Sequence, residues 1–198
     1  MITEPSRAAD PTATALSIDR LDVIAPGAFA AAVSPLFEGA RGFLGRLAMA
    51  RPFGSADAMF ASARQIARAM PPEEQIELID AHPRLGAPPA TVSTLSFAEQ
   101  GYDRDALREA FEAVAASEAE RARAAAELDR SNAAYEVRFG FRYCVHVAGR
   151  SRAELLAGLA AALKADRDAE LARALEAVID IAHDRYATLT AAAAEERA

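Results

Sequence analysis

Near the end of the chain, Leu171, Leu175, Val178, Ala182, Arg185 and Leu189 recur at steps of three and four residues. That spacing lines them up on one stripe of a helix. An apolar stripe has to be buried against other elements, so a long final helix over about Asp168 to Ala192 commits the chain to helix-on-helix packing. Arg185 breaks the stripe. A guanidinium turned inward needs an anionic partner, because an unpaired buried charge is costly. A structural ion pair (or snorkelling at the helix end) and a clamp for a ligand carboxylate or oxyanion stand at even weight from this pattern alone.

The rest of the chain supports the same architecture. Pro26 suits a first helical turn, and a helix is expected from there to the vicinity of Gly39. Another is expected from Gly42 to Ala50, stopped by Arg51-Pro52-Phe53-Gly54. Ser55 is a good cap for a third, in which Met59, Ala63, Ile66 and Met70 recur at helical spacing. Pro72 opens a short helix through Ile76 and Ile79. The segment holding His82, Pro83, Gly86, Pro88 and Pro89 is too broken for regular structure. Ser96-x-x-Glu99 reads as a capping box, followed by one or two charged, Ala-rich helices to Arg138, with Gly140 as the C′ residue. Phe141 to Val147 alternates like a strand but has no partner strand, so it is expected to thread a helical core in extended form. Ser151-x-x-Glu154 is a second capping box, for a helix to about Lys164. The expected fold is all-α: one compact domain of about seven to nine helices over residues 17–192, with a disordered lead-in over 1–16 and a tail over 193–198.

Composition narrows the function. Hydrophobic residues make up 52% of the 198, enough for a sizeable core, and the abundant alanine favours helix. With 29 acidic against 22 basic residues the net charge is −7, so the basic footprint of a nucleic-acid binder is missing. No apolar run approaches a membrane span, and the N-terminus has no signal-peptide core. A cytoplasmic, soluble protein is expected. Cys144 is the only cysteine, which excludes an intramolecular disulfide, and it reads as a buried structural thiol. His82, His146 and His183 lack metal-ligand spacing, and no nucleotide-binding glycine loop occurs, so neither a metal nor a cofactor is indicated.

The stretch Ala81-His82-Pro83-Arg84-Leu85-Gly86 is where chemistry is expected. Pro83 pushes His82 out of helical geometry, so its side chain should leave a loop, where a proton-transfer group can meet a ligand. By itself a His-Pro dipeptide more often marks a histidine bonded to nearby backbone. Glu99 has the capping-box reading beside a functional one, and Gln100 alone says little.

Taken in order, several segments resemble the 2-oxo-4-hydroxy-4-carboxy-5-ureidoimidazoline (OHCU) decarboxylase family. They are Leu36-Phe37-Glu38, Arg51-Pro52-Phe53, Ala81-His82-Pro83-Arg84-Leu85-Gly86, Ser96-x-x-Glu99-Gln100, Asn132-Ala133-Ala134-Tyr135, Arg138-Phe139-Gly140-Phe141 and Asp184-Arg185-Tyr186. Together they run from about Leu16 to Leu189. The resemblance implies an all-α homodimer that decarboxylates OHCU to (S)-allantoin with no cofactor or metal. It implies catalytic roles for His82, Glu99 and Arg185. Pro83, Ser96 and Gln100 become expected substrate-binding residues, with Phe141, Tyr143 and Val145 lining the site.

The pattern departs from that family at two places. Arg142 stands where a proline is usual, and a charged insert runs from Gly101 to about Asn132. Two alternatives follow: a paralogue acting on a related ureido or imidazoline compound, and a non-catalytic helical interaction domain that uses the insert as its surface.

Overall fold

The computed structural model describes residues 16–87, 91–100 and 118–195. Among these lie nine α-helices, one 3-10 turn and no strand, as an all-α chain requires. The helices are α1 (Ile18–Val23), α2 (Pro26–Val33), α3 (Arg41–Met49), α4 (Ala56–Ala69), α5 (Pro72–Asp80), α6 (Thr94–Glu99), α7 (Glu118–Phe139), α8 (Arg152–Ala162) and α9 (Arg167–Glu195). The chain divides into two compact units, one through Ala69 and again from Ile179, the other Met70–Val178. Helix α9 contributes residues to both. No helix among the described residues is long and apolar enough to cross a membrane.

In the first unit α2 packs on α3 and α3 on α4. The core holds Leu21, Phe29, Val33, Phe37, Phe43, Leu47, Met59 and Phe60, with Ile179 and Ala182 from α9. Each large side chain fully buried there contributes roughly 1.5–3 kcal/mol of hydrophobic stabilisation. Helix α1 was not anticipated from the apolar pattern. Ser17 caps its start, accepting from the Arg20 N–H at 3.4 Å. Arg51 closes its other end, donating to the carbonyls of Leu21 at 2.8 Å and Ile24 at 2.6 Å, which would otherwise be orphaned. Leu16, the last residue of the expected lead-in, is buried, while residues 1–15 lie outside the described residues.

The second unit carries most of the capping that the sequence predicted. Pro72 occupies the first turn of α5 with Glu73 and Glu74 beside it, favourable at a helix N-terminus. Gly140 ends α7 at φ 79°, and its N–H bonds the Glu136 carbonyl at 2.9 Å. The Ser151–Glu154 box at α8 is present in both directions. Residues 141–147 run between α7 and α8 without helix and without pairing as a strand.

One capping prediction is corrected. Helix α6 opens at Thr94, two residues before Ser96, and the Ser93 hydroxyl accepts from the Ser96 N–H at 3.2 Å. Ser96 is therefore a buried residue inside the helix, and Glu99 is its last residue rather than a member of its first turn. A serine three residues earlier supplied the cap, and the pattern Ser-x-x-Glu matched by coincidence of spacing. The expected helix over residues 101–117 falls outside the described residues.

Candidate active site

His82 follows α5 by two residues. The helix ends because Pro83 has no N–H to donate and disfavours helical geometry in the residue before it. The His82 N–H still bonds the Ile79 carbonyl at 3.1 Å, so the imidazole leaves from the last turn's exit. Both ring nitrogens are shielded from water. A loop histidine with a buried ring means that the loop itself is packed down.

Three sources hold that loop. From α7, Asp129, Asn132 and Glu136 stand at steps of three and four, on one helix face. Arg84 reaches this face with Nε to Glu136 Oε1 at 2.7 Å, Nη2 to Glu136 Oε2 at 3.2 Å and Nη1 to Asp129 Oδ1 at 2.7 Å. The forked pairing with Glu136 fixes orientation as well as distance. Between them the buried Asn132 donates Nδ2 to the Leu85 carbonyl at 2.9 Å. Gln100 comes from beyond α6, its Oε1 accepting from the Gly86 N–H at 2.9 Å. Arg142, from the segment between α7 and α8, donates Nη1 to the carbonyls of Asp80 at 2.7 Å and His82 at 3.0 Å. Gly86 sits at φ 77°, and a Cβ there would collide with the Leu128 side chain of α7, so only glycine lets the loop lie this close.

Gln100 is thus hydrogen-bonded to the His82 loop. Pro83 is partly exposed beside His82, and Glu99 is partly exposed at the end of α6. Phe141 and Tyr143 have a different environment from the one expected. Their rings meet Tyr135 edge-on at 5.8 Å and 5.1 Å, and both are buried in the aromatic cluster that Phe139 completes. Val145 is half-buried.

Behind that cluster lies a polar network not foreseen from the sequence. The buried Glu170 carboxylate accepts from the Tyr135 hydroxyl at 2.7 Å and from Arg173 Nε at 2.7 Å. Arg173 also donates Nη1 to the Cys144 carbonyl at 3.0 Å and lies over the Tyr143 ring. Burial, and then the Glu170 carboxylate, push the Tyr135 hydroxyl well above the usual tyrosine range, and burial pushes Tyr143 up as well. Cys144 is buried, the environment of a structural thiol.

Arg185 belongs to the first unit. Its guanidinium donates Nη1 to the Pro35 and Leu36 carbonyls at 2.9 Å and 3.2 Å, and Nη2 to Glu38 Oε1 at 2.9 Å. The acceptors come from the 3-10 turn Ser34–Phe37, whose cap Glu38 adopts left-handed geometry at φ 49°. The buried charge that broke the apolar stripe has its anionic partner within the same unit.

Residues 23–187 match the family model described as OHCU decarboxylase. The uric acid degradation bifunctional protein PucL of Bacillus subtilis (strain 168) is 29% identical over 154 residues, 78% of this chain. The chain spans 28% of that relative's length. Among solved structures, an OHCU decarboxylase crystallised in the presence of (S)-allantoin superposes with a TM-score of 0.57 at 21% identity, covering 80% of this chain and 96% of that one. An (S)-allantoin synthase superposes with a TM-score of 0.59 at 16% identity, covering 87% and 54%. At these identities the two superpositions speak for the fold.

Proposed function

This chain belongs to the OHCU decarboxylase family of carboxy-lyases, and on that premise we propose that it converts OHCU to (S)-allantoin and carbon dioxide. In this reaction the bond from C4 to the carboxylate breaks, and its electron pair forms a C4=C5 double bond as the C5=N pair moves onto nitrogen. C5 then takes a proton on one face while the 4-hydroxyl gives one up to become the carbonyl. Starting from the ionised carboxylate, the sequence consumes one proton. The substrate carries its own electron sink, so the chemistry calls for no metal or organic cofactor.

His82 is the residue on which this reading rests. An imidazole exchanges protons near neutral pH and can act on the 4-hydroxyl or on C5. A buried ring on a loop tied down at Leu85, Gly86 and its own carbonyl supports that assignment, because stereospecific protonation needs a donor held to one face. The Gln100 amide and the Glu99 carboxylate are groups suited to a ureido carbonyl and N–H. Pro83 and Ser96 shape the loop and helix that carry them, with Val145 as apolar lining and the buried Phe141 and Tyr143 backing it from the Tyr135 cluster. The anion-binding role that the resemblance implies for Arg185 is a separate proposal: Arg185→Lys should raise KM, and unchanged kinetics would leave Arg185 a structural cation of its own unit.

A circular-dichroism time course on freshly generated OHCU tests the reaction, since it reads rate and handedness together. Accelerated decay to one allantoin enantiomer is expected; racemic product at the spontaneous rate would sink the proposal. His82→Ala should lower kcat by roughly 10²–10⁴-fold, the usual worth of a general acid or base. His82→Gln, closer in size, keeps the test usable if the alanine variant melts early. We also propose a cytoplasmic homodimer, and light scattering at the monomer mass would refute the dimer.

A further inference from the structure

We propose that Arg142 is a positioning residue for His82, holding the imidazole in place through its bonds to the backbone carbonyls of Asp80 and His82. The inference rests on the catalytic reading of His82. Its starting point is the end of α5, where the last carbonyls have no partner within the helix. One nitrogen of Arg142, Nη1, bonds two of the carbonyls around this exit, Asp80 at 2.7 Å and His82 at 3.0 Å. The backbone N–H of Arg142 returns to the Asp80 carboxylate, Oδ1, at 2.8 Å. Three bonds therefore join a single residue of the segment between α7 and α8 to the residues on either side of Ala81.

The consequence for His82 is geometric. Its carbonyl is held by Arg142, and Pro83 restricts its backbone to non-helical geometry, so the Cα from which the imidazole departs is held in place. A cation at a helix C-terminus is also favourable in its own right, against the partial negative charge of the exposed carbonyls. A lysine would supply the charge and one donor nitrogen on a different stem, whereas a proline at this position would supply neither a cation nor the N–H that Asp80 accepts. Arg142 is only partly buried, so a small cation can enter the space its side chain leaves.

Steady-state kinetics of Arg142→Ala, with and without added guanidinium ion, tests this. The expected result is a fall in kcat of about 10–100-fold, the scale of a misplaced catalytic group, with KM nearly unchanged. Guanidinium at millimolar concentration should restore a good part of kcat, and sodium at equal ionic strength should not. Because Arg142 acts through His82, adding Arg142→Ala to His82→Ala should cost no further rate. The chain has three histidines, so the imidazole NMR signals of His82 can be assigned by their loss in His82→Ala. Those signals should shift in Arg142→Ala while the His183 signals stay in place. If His82→Ala keeps its rate, both this inference and the reading of His82 fall. If His82→Ala is slow but Arg142→Ala is fast, or raises KM alone, or is additive with His82→Ala, only the Arg142 inference falls. Should Arg142→Ala not fold, Arg142→Lys carries the same comparison, with a smaller kcat loss and the same His82 shift.

Discussion

Among the described residues, Arg185 of the first unit and Glu170 of the second are buried charged groups, and the two units solve the problem from opposite sides. In the first unit the cation is inside: Arg185 is 1% exposed, and its partner Glu38 is 15% exposed. In the second the anion is inside: Glu170 is 3% exposed, and Arg173 is 36% exposed. Arg185 is surrounded by acceptors, two of them backbone carbonyls that a short turn leaves unused. Glu170 is surrounded by donors, the Tyr135 hydroxyl and the Arg173 fork. The lesson is that the member left behind decides the cost of breaking such a pair. A group near the surface recovers water when its partner goes, whereas a buried one has no substitute.

The largest effects should therefore come from removing the outer partner. Glu38→Ala strands the Arg185 charge and Arg173→Ala strands Glu170, and each should cost about 3–5 kcal/mol in urea unfolding. Removing the inner partner should cost less: Arg185→Met and Glu170→Gln are expected at about 1–3 kcal/mol, the penalty of unmet hydrogen bonds. Equal losses within either pair would break the comparison. The half-exposed pair Arg64–Asp180, 2.7 Å apart, marks the lower end: Asp180→Ala should change stability by about 0–1 kcal/mol.

Alkali should separate the units a second way. The Tyr135 hydroxyl is raised above its usual 10.0 by burial and by Glu170, and Tyr186 of the first unit by burial. A group with a higher pKa in the folded state stabilises the fold fully below its unfolded pKa, and that contribution is lost as pH rises toward the folded value. Stability should thus fall from about pH 10 upward. Tyr135→Phe should flatten that fall more than Tyr186→Phe does, as read by melting temperature against pH. The reverse order would mean that Glu170 does not act on Tyr135 as its geometry indicates.

The helices were largely readable because their signals are local. Pro72, Ser55, Gly140 and Ser151 act on their own turns, and α4, α5, α7 and α8 stop or start where those residues say. Helix α1 is six residues long and its C-terminal end is closed from a distance, by Arg51 some thirty residues on, so the local pattern does not mark it. The Ser96 box failed because a competing serine, Ser93, lay one turn earlier. Of the candidate site, His82 and Gln100 could be named, and Gln100 bonds the loop that carries His82. The grip of Asp129, Asn132 and Glu136 was present as helical spacing, yet spacing does not say what the stripe faces. Arg142 could be seen only as an unusual residue.

By itself, then, the sequence determined the all-α class, most helix limits, and a loop histidine before a proline. Those follow from steric and hydrogen-bonding preferences acting within a few residues. The tertiary structure decided which charges meet: Arg185 with Glu38, Glu170 with Arg173 and Tyr135, Arg142 with the carbonyls of Asp80 and His82. Each of these pairings except Glu170–Arg173 joins residues tens of positions apart. Their energy depends on burial and on distances that only a folded chain sets.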